Sequence, residues 1–155
     1  MNSVQIVISR QNAYDDILVK SHIDAAVIVD ATERYMVEAG TEKAEQIHQC
    51  ISDAFGEALI LLRRFLDQNS ITTGVTSSYD GEGDLELTFD ISGRRAHYFA
   101  ETLTPAVHAF VVDAALGKYY ATIRPVFAEP YLRRLADDTA NIRTIIFTKQ
   151  PPEIA

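Results

Sequence analysis

The sequence predicts a mainly helical α+β domain, a bundle of about four to five helices with a projecting antiparallel β-hairpin at about residues 70–92. Three observations predict it. An apolar stripe at helical spacing runs from Ile47 to Phe65. Two alternating segments flank Asp80-Gly81-Glu82-Gly83, which supplies the glycines a tight turn demands. Proline-led apolar segments then follow at Pro105 and at Glu129-Pro130.

In chain order, Val4, Ile6 and Ile8 alternate with Gln5 and Val7, the pattern of a short strand. Ser9 stands where an N-cap would, ahead of a helix reaching about Lys20. Ser21 and Asp24 repeat the cap signal more weakly. The Ala25–Val29 run fits helix or strand, since so short an apolar run has no decisive period, and helix is preferred. Gly40-Thr41 closes one helix and opens the next. From Ala44, the positions Ile47, Ile51, Phe55, Ala58, Leu62 and Phe65 share one face over about six turns. Ile71, Thr73, Val75, Ser77 and Tyr79 form one strand face; Leu85, Leu87, Phe89 and Ile91 form the other. A two-stranded ribbon is marginal alone, so it needs a helix or another chain beneath it. Thr104 and Pro105 mark the start of a helix that is apolar on most sides, a central position. Pro125 interrupts it, and Glu129-Pro130 opens a last helix whose inner stripe is Leu132, Leu135, Ala136, Thr139, Ile142 and Ile146. Arg133–Asp137 and Arg134–Asp138 are expected as exposed pairs four apart. Pro151-Pro152 stops that helix, leaving one domain over 1–150 and a tail at 151–155.

The 14 Lys+Arg and 22 Asp+Glu give a formal net charge of −8. Residues 1–92 carry 6 basic and 16 acidic groups, or −10; residues 93–155 carry 8 and 6, or +2. So acidic a chain draws no polyphosphate by its long-range field, which disfavours sequence-independent nucleic-acid binding. The unequal halves suit contacts between copies of the chain. Apolar runs do not exceed five residues, as in Ala58–Leu62, so no membrane partner is expected. Met1–Ile6 lacks a basic region leading into an apolar one, and a single cysteine fits a reducing compartment; the expectation is a cytoplasmic protein.

No motif for catalysis, cofactor or metal emerges. Asp80–Glu86 imitates the start of an EF-hand loop, but the loop's sixth position holds Leu85 and its twelfth Ile91. His22, His48, His97 and His108 are dispersed, none paired at i, i+4. Cys50 has no catalytic flanking sequence, and Gly81 and Gly83 open a strand rather than a phosphate-binding helix. The densest basic cluster is Arg94-Arg95 with His97, suited to a phosphate or a neighbour's acids. With the aromatic pair Tyr119-Tyr120 it makes up the candidate interaction residues.

The order of elements resembles the small head–tail connector (adaptor) proteins of tailed phages and prophages. A helix of the Ala44–Leu66 kind is followed by a β-containing excursion, then by a Pro105-led apolar helix ending in Tyr119-Tyr120. A last helix carries Leu132, Leu135-Ala136 and Ile142-Arg143, and the opening Ile8-Ser9-Arg10-Gln11-Asn12-Ala13-Tyr14-Asp15-Asp16 is similar as well. The resemblance implies a non-catalytic structural subunit, virion-associated, forming a homo-oligomeric ring and binding other phage-type structural proteins. The other readings are a helical protein-binding or regulatory module and, more distantly, a small enzyme.

Overall fold

Strict alternation in the second predicted strand is realised in full. Leu85, Leu87, Phe89 and Ile91 are completely buried, while Glu86, Thr88 and Asp90 face water. Burying each such side chain is worth about 1.5–3 kcal/mol, so a register slip of one residue is heavily penalised. The computed structural model describes residues 2–67, 75–77, 79–91 and 93–147. Within them the strands are β1 (Asn2–Ile8), β2 (Val75–Ser77) and β3 (Leu85–Ile91). The α-helices are α1 (Arg10–Ala25), α2 (Ala31–Val37), α3 (Ala44–Asp67), α4 (Gly93–Ile123) and α5 (Pro125–Phe147).

The mainly helical class with an antiparallel ribbon holds, but the ribbon is placed differently. β3 is the centre of a three-stranded sheet ordered β1-β3-β2. β1 pairs antiparallel with β3 along its whole length, from Asn2 opposite Ile91 to Ile8 opposite Leu85, and β2 pairs with β3 from Val75 opposite Phe89. The hairpin therefore does not project. Its apolar face is buried with Ile6 and Ile8 in the same core as the helices, and Phe89 meets Phe99 of α4 edge to face. No second chain is needed to cover it. The expected first strand between Ile71 and Thr73 lies outside the described residues. Gly81 and Gly83 both take positive φ, 103° and 74°, which explains glycine at both turn positions.

Ser9 caps α1 as expected, its Oγ accepting from the Asn12 amide at 3.1 Å. The helix then runs past Lys20 to Ala25. Ser21 is no cap: it is buried, and its Oγ accepts from the Ala39 amide at 2.6 Å. The run Ala25–Val29 is a helix end and turn, not a continuing helix. Asp30 starts α2 afresh by accepting from the Glu33 amide, while Arg34 donates to the Ile28 carbonyl through Nε and Nη2 and folds the turn back. Val27 and Val29 are left in solvent. Lys43, in a 3-10 turn at Thr41–Lys43, donates to the carbonyls of Tyr35, Met36 and Glu38 and so closes the C-terminal end of α2.

α3 buries the stripe read from the sequence: Ile47, Ile51, Phe55, Ala58, Leu62 and Phe65. α4 packs on α5 and α3 and lies against β1, the central position its apolar circumference predicted. It begins twelve residues earlier than Pro105, which sits inside it. Thr102 Oγ1 and Thr104 Oγ1 turn back onto the carbonyls of Tyr98 and Ala100, so Thr104 serves the preceding turn rather than capping a new helix. Its segment Tyr98–Ile123 is long and apolar enough to cross a bilayer, with mean hydropathy 1.2, yet 61% of that window is buried within this fold. α5 likewise starts at Pro125 and carries Pro130 inside it. Its buried face is Ala128, Tyr131, Ile142, Ile145 and Ile146; Leu132 and Ala136, expected inside, are exposed.

Candidate functional site

Arg10, just past the α1 cap, ties the turn glycines to α3. Its Nε donates to the Gly83 carbonyl at 2.8 Å, Nη1 to the His48 carbonyl at 3.0 Å, and Nη2 to Ser52 Oγ and Tyr79 Oη. The guanidinium also lies 5.3 Å from the centre of the Phe55 ring. His48 stacks on Tyr14 with ring centroids 4.6 Å apart, and its buried Nδ1 has no hydrogen-bond partner. Burial and, second, the Arg10 charge hold its pKa below the ordinary histidine value, which favours the neutral ring. This is a fastening of the turn. Arg10 spends four of its five guanidinium donors inside the chain, which makes it a structural tie rather than a ligand-binding group.

A second cluster lies in a cleft of about 470 Å³ between the end of β1, the start of α1 and the middle of α4. His108 Nε2 is 2.6 Å from Asp16 Oδ2 there, and Ser9, Asn12 and Thr104 share the lining. A histidine oriented by a carboxylate can accept or deliver a proton. Nucleophilic chemistry needs a hydroxyl or thiol bonded to that ring, and among the described residues none is. Ser9 Oγ accepts the Asn12 amide as a cap, and Thr104 Oγ1 donates to Ala100. Cys50 is half-buried on α3, and its thiol pKa is pushed up by burial, then by the Asp53 charge; it is not an activated thiol. Among the described residues no group of three or more His, Cys, Asp or Glu is placed to hold a metal ion.

The densest polar network joins α1, α4 and α5. Tyr120 Oη donates to Asp24 Oδ2 at 2.9 Å, and Tyr131 Oη donates to the same oxygen. Burial first, then the bond to Asp24, raises the pKa of Tyr131; burial is also the main cause for Tyr120. Nearby, Asp113 of α4 is buried and Asp138 of α5 lies against it; Asp113 Oδ1 and Asp138 Oδ2 each lack a hydrogen-bond partner. Two ionised carboxylates offer no donor to each other. A proton on Asp138 supplies one, and burial together with Asp113 pushes its pKa up to about 7, with Lys20 opposing and Asp137 adding to the rise. Asp138 therefore belongs to this junction and is not part of the exposed Arg134 pair the sequence spacing predicted. Arg134 instead stacks over Tyr131, its Cζ 5.1 Å from the ring centre.

The anticipated interaction residues do not form one surface. Tyr119 and Tyr120 are buried within the chain. Tyr119 Oη has no partner, and burial raises its pKa to about 12. Arg94, Arg95 and His97 stand in the first turns of α4, not in a loop, and their side chains lie outside the described residues.

What sequence reasoning missed is an apolar surface. Val27 and Val29 of the α1–α2 turn, Ile23 of α1 and Val126 of α5 are 63–94% exposed. They border two adjoining hollows of about 440 and 750 Å³ that share Val27 and Phe127. The signal was present in Ala25–Val29, an apolar run for which helix was preferred over strand and exposure was not considered. A scan against protein-family models and searches of curated proteins and of solved structures find no match to this chain.

Proposed function

We propose that the chain is a non-catalytic assembly subunit, of the kind that the head–tail connector resemblance implies, working through protein–protein contacts and as a homo-oligomer. The observation that carries the reading is the exposed apolar surface of Ile23, Val27, Val29 and Val126. Side chains of this type grouped around adjoining hollows mark a surface that is covered in use. The sheltered ribbon lends no support, since its apolar face is already buried at home.

The test is co-expression of the full chain with the products of the genes on either side of its own, followed by affinity capture and mass measurement of the complex. A stoichiometric complex that is lost when Val27 and Val126 are replaced by aspartate is expected. Failure to retain any of those proteins, with the chain folded, overturns the reading.

The His108–Asp16 pair in its cleft favours one second reading, a small enzyme using a histidine as proton carrier. It predicts that His108→Ala abolishes a turnover that the folded protein otherwise shows. The assembly reading predicts that this variant keeps its partners.

A further inference from the structure

We infer that Asp113 and Asp138 form a proton-operated clasp: it holds the first half of α5 against α1 and α4 while the pair shares one proton, and releases it when both carboxyls are ionised. The clasp goes beyond the assembly reading, because it is a property of the chain alone. Asp113 of α4 is 5% exposed, and its Oδ1 has no hydrogen-bond partner among the described residues. Asp138 meets it from α5, and its own Oδ2 is buried and equally without a partner. A buried carboxylate oxygen left unpartnered is costly, and two such groups side by side repel. One proton removes both faults, since the protonated oxygen donates to its neighbour.

The charged groups on each packed element set the balance. Lys20 of α1 favours loss of the Asp138 proton, whereas Asp113 and Asp137 favour keeping it. Asp24 of α1 is occupied by the hydroxyls of Tyr120 and Tyr131, and Arg134 of α5 stacks over Tyr131. Asp24, Tyr131 and Arg134 also line the hollow of about 440 Å³ beside Val27 and Val126, and Asp138 follows Arg134 by about one helical turn. The far end of α5 is held otherwise, by Ile142, Ile145 and Ile146 in the core and by Phe147 against Phe65. Between Tyr131 and Ile142 no side chain of α5 is fully buried, and Leu135 packs on the core only in part. The contact with Asp113 therefore weighs heavily in that stretch, and its loss frees the wall of the hollow. Opening exposes Asp138 to water, where an aspartyl group gives up its proton at ordinary acidity. Opening thus releases a proton and is favoured as pH rises, up to about 7, where the closed form is itself ionised.

The experiment is native-state hydrogen exchange of the full chain at about pH 5 and about pH 7.5, without urea and with about 1 M urea, the rates corrected for the intrinsic pH dependence of amide exchange. Opening of the amides over residues 126–138 should rise about tenfold between the two pH values. It should be insensitive to urea, because a local opening exposes little surface, and should exceed the opening of α3 around Phe55. Asp138→Asn and Asp113→Asn each supply a permanent amide donor, so the rise should disappear in both, and either variant that folds suffices to decide. No rise in the wild type, a rise that persists in a folded variant, or one that follows urea as steeply as α3 does overturns the clasp. Since no partner is added, these outcomes leave the assembly reading untouched, and failure of that reading leaves the clasp standing.

Discussion

Replacing Asp138 with asparagine isolates the carboxyl pair at the α1–α4–α5 junction. A rise from the ordinary aspartate value near 3.9 to about 7 corresponds, at about 1.4 kcal/mol per pH unit, to an upper bound of roughly 4 kcal/mol. Asp138 itself is only half-buried, so solvent screens its charge and the realised figure is on the order of 1–2 kcal/mol. The sign follows from proton binding. Folded Asp138 holds its proton more tightly than the unfolded chain does, so unfolding releases it between about pH 4 and pH 7. The group therefore costs stability as pH rises through that window, and the cost is complete above it. Urea unfolding of wild type and Asp138→Asn at about pH 5 and about pH 8 measures the effect. The wild type should lose on the order of 1–2 kcal/mol more than the variant between the two pH values. At the higher pH the variant should be the more stable, because its amide can donate to Asp113 without a proton from solvent. A variant with an unchanged pH slope, or one less stable than wild type at about pH 8, refutes the reasoning.

Tyr119→Phe removes a buried hydroxyl that has no partner, and thermal melts should show it neutral or stabilising by up to about 1 kcal/mol. Arg10→Ala releases Gly83, the His48 carbonyl, Ser52 and Tyr79 at once and should cost about 2–4 kcal/mol in urea titration, with Arg10→Lys recovering only part. Gly117→Ala brings a Cβ to 2.8 Å from Leu132 Cδ2, the end of a half-exposed side chain that can swing aside. Its helix-propensity gain of about 1 kcal/mol offsets the repacking, so its melting temperature should stay near wild type. Phe89→Ala empties the middle of the sheet's buried face and should cost about 3–5 kcal/mol by the same titration.

The elements most legible in the sequence were those whose pattern repeats several times. α3 shows its face in six apolar positions, and β3 in four alternations; both lie as expected. The starts of α4 and α5 were misplaced for one physical reason. A proline is favoured in a helix's first turn, but that preference does not forbid an interior proline where neighbouring helices hold the segment, as α4 and α5 hold each other. Pro105 and Pro130 both lie inside their helices. The partner of β1 was illegible because antiparallel pairing leaves no local mark linking Ile8 to Leu85. At the sites the difficulty was similar. The Asp113–Asp138 and Asp16–His108 contacts join distant stretches of chain, and spacing along one helix instead offered Arg134 as the partner of Asp138.

The pairing of β1 with β3 also bears on synthesis. The first strand leaves the ribosome about eighty residues ahead of the one that holds it. Until that partner emerges, Ile6 and Ile8 have no sheet to join, and the loop to be closed is among the longest in the fold. The emerged part of the nascent chain therefore carries an adhesive strand, which is where a holdase would gain most.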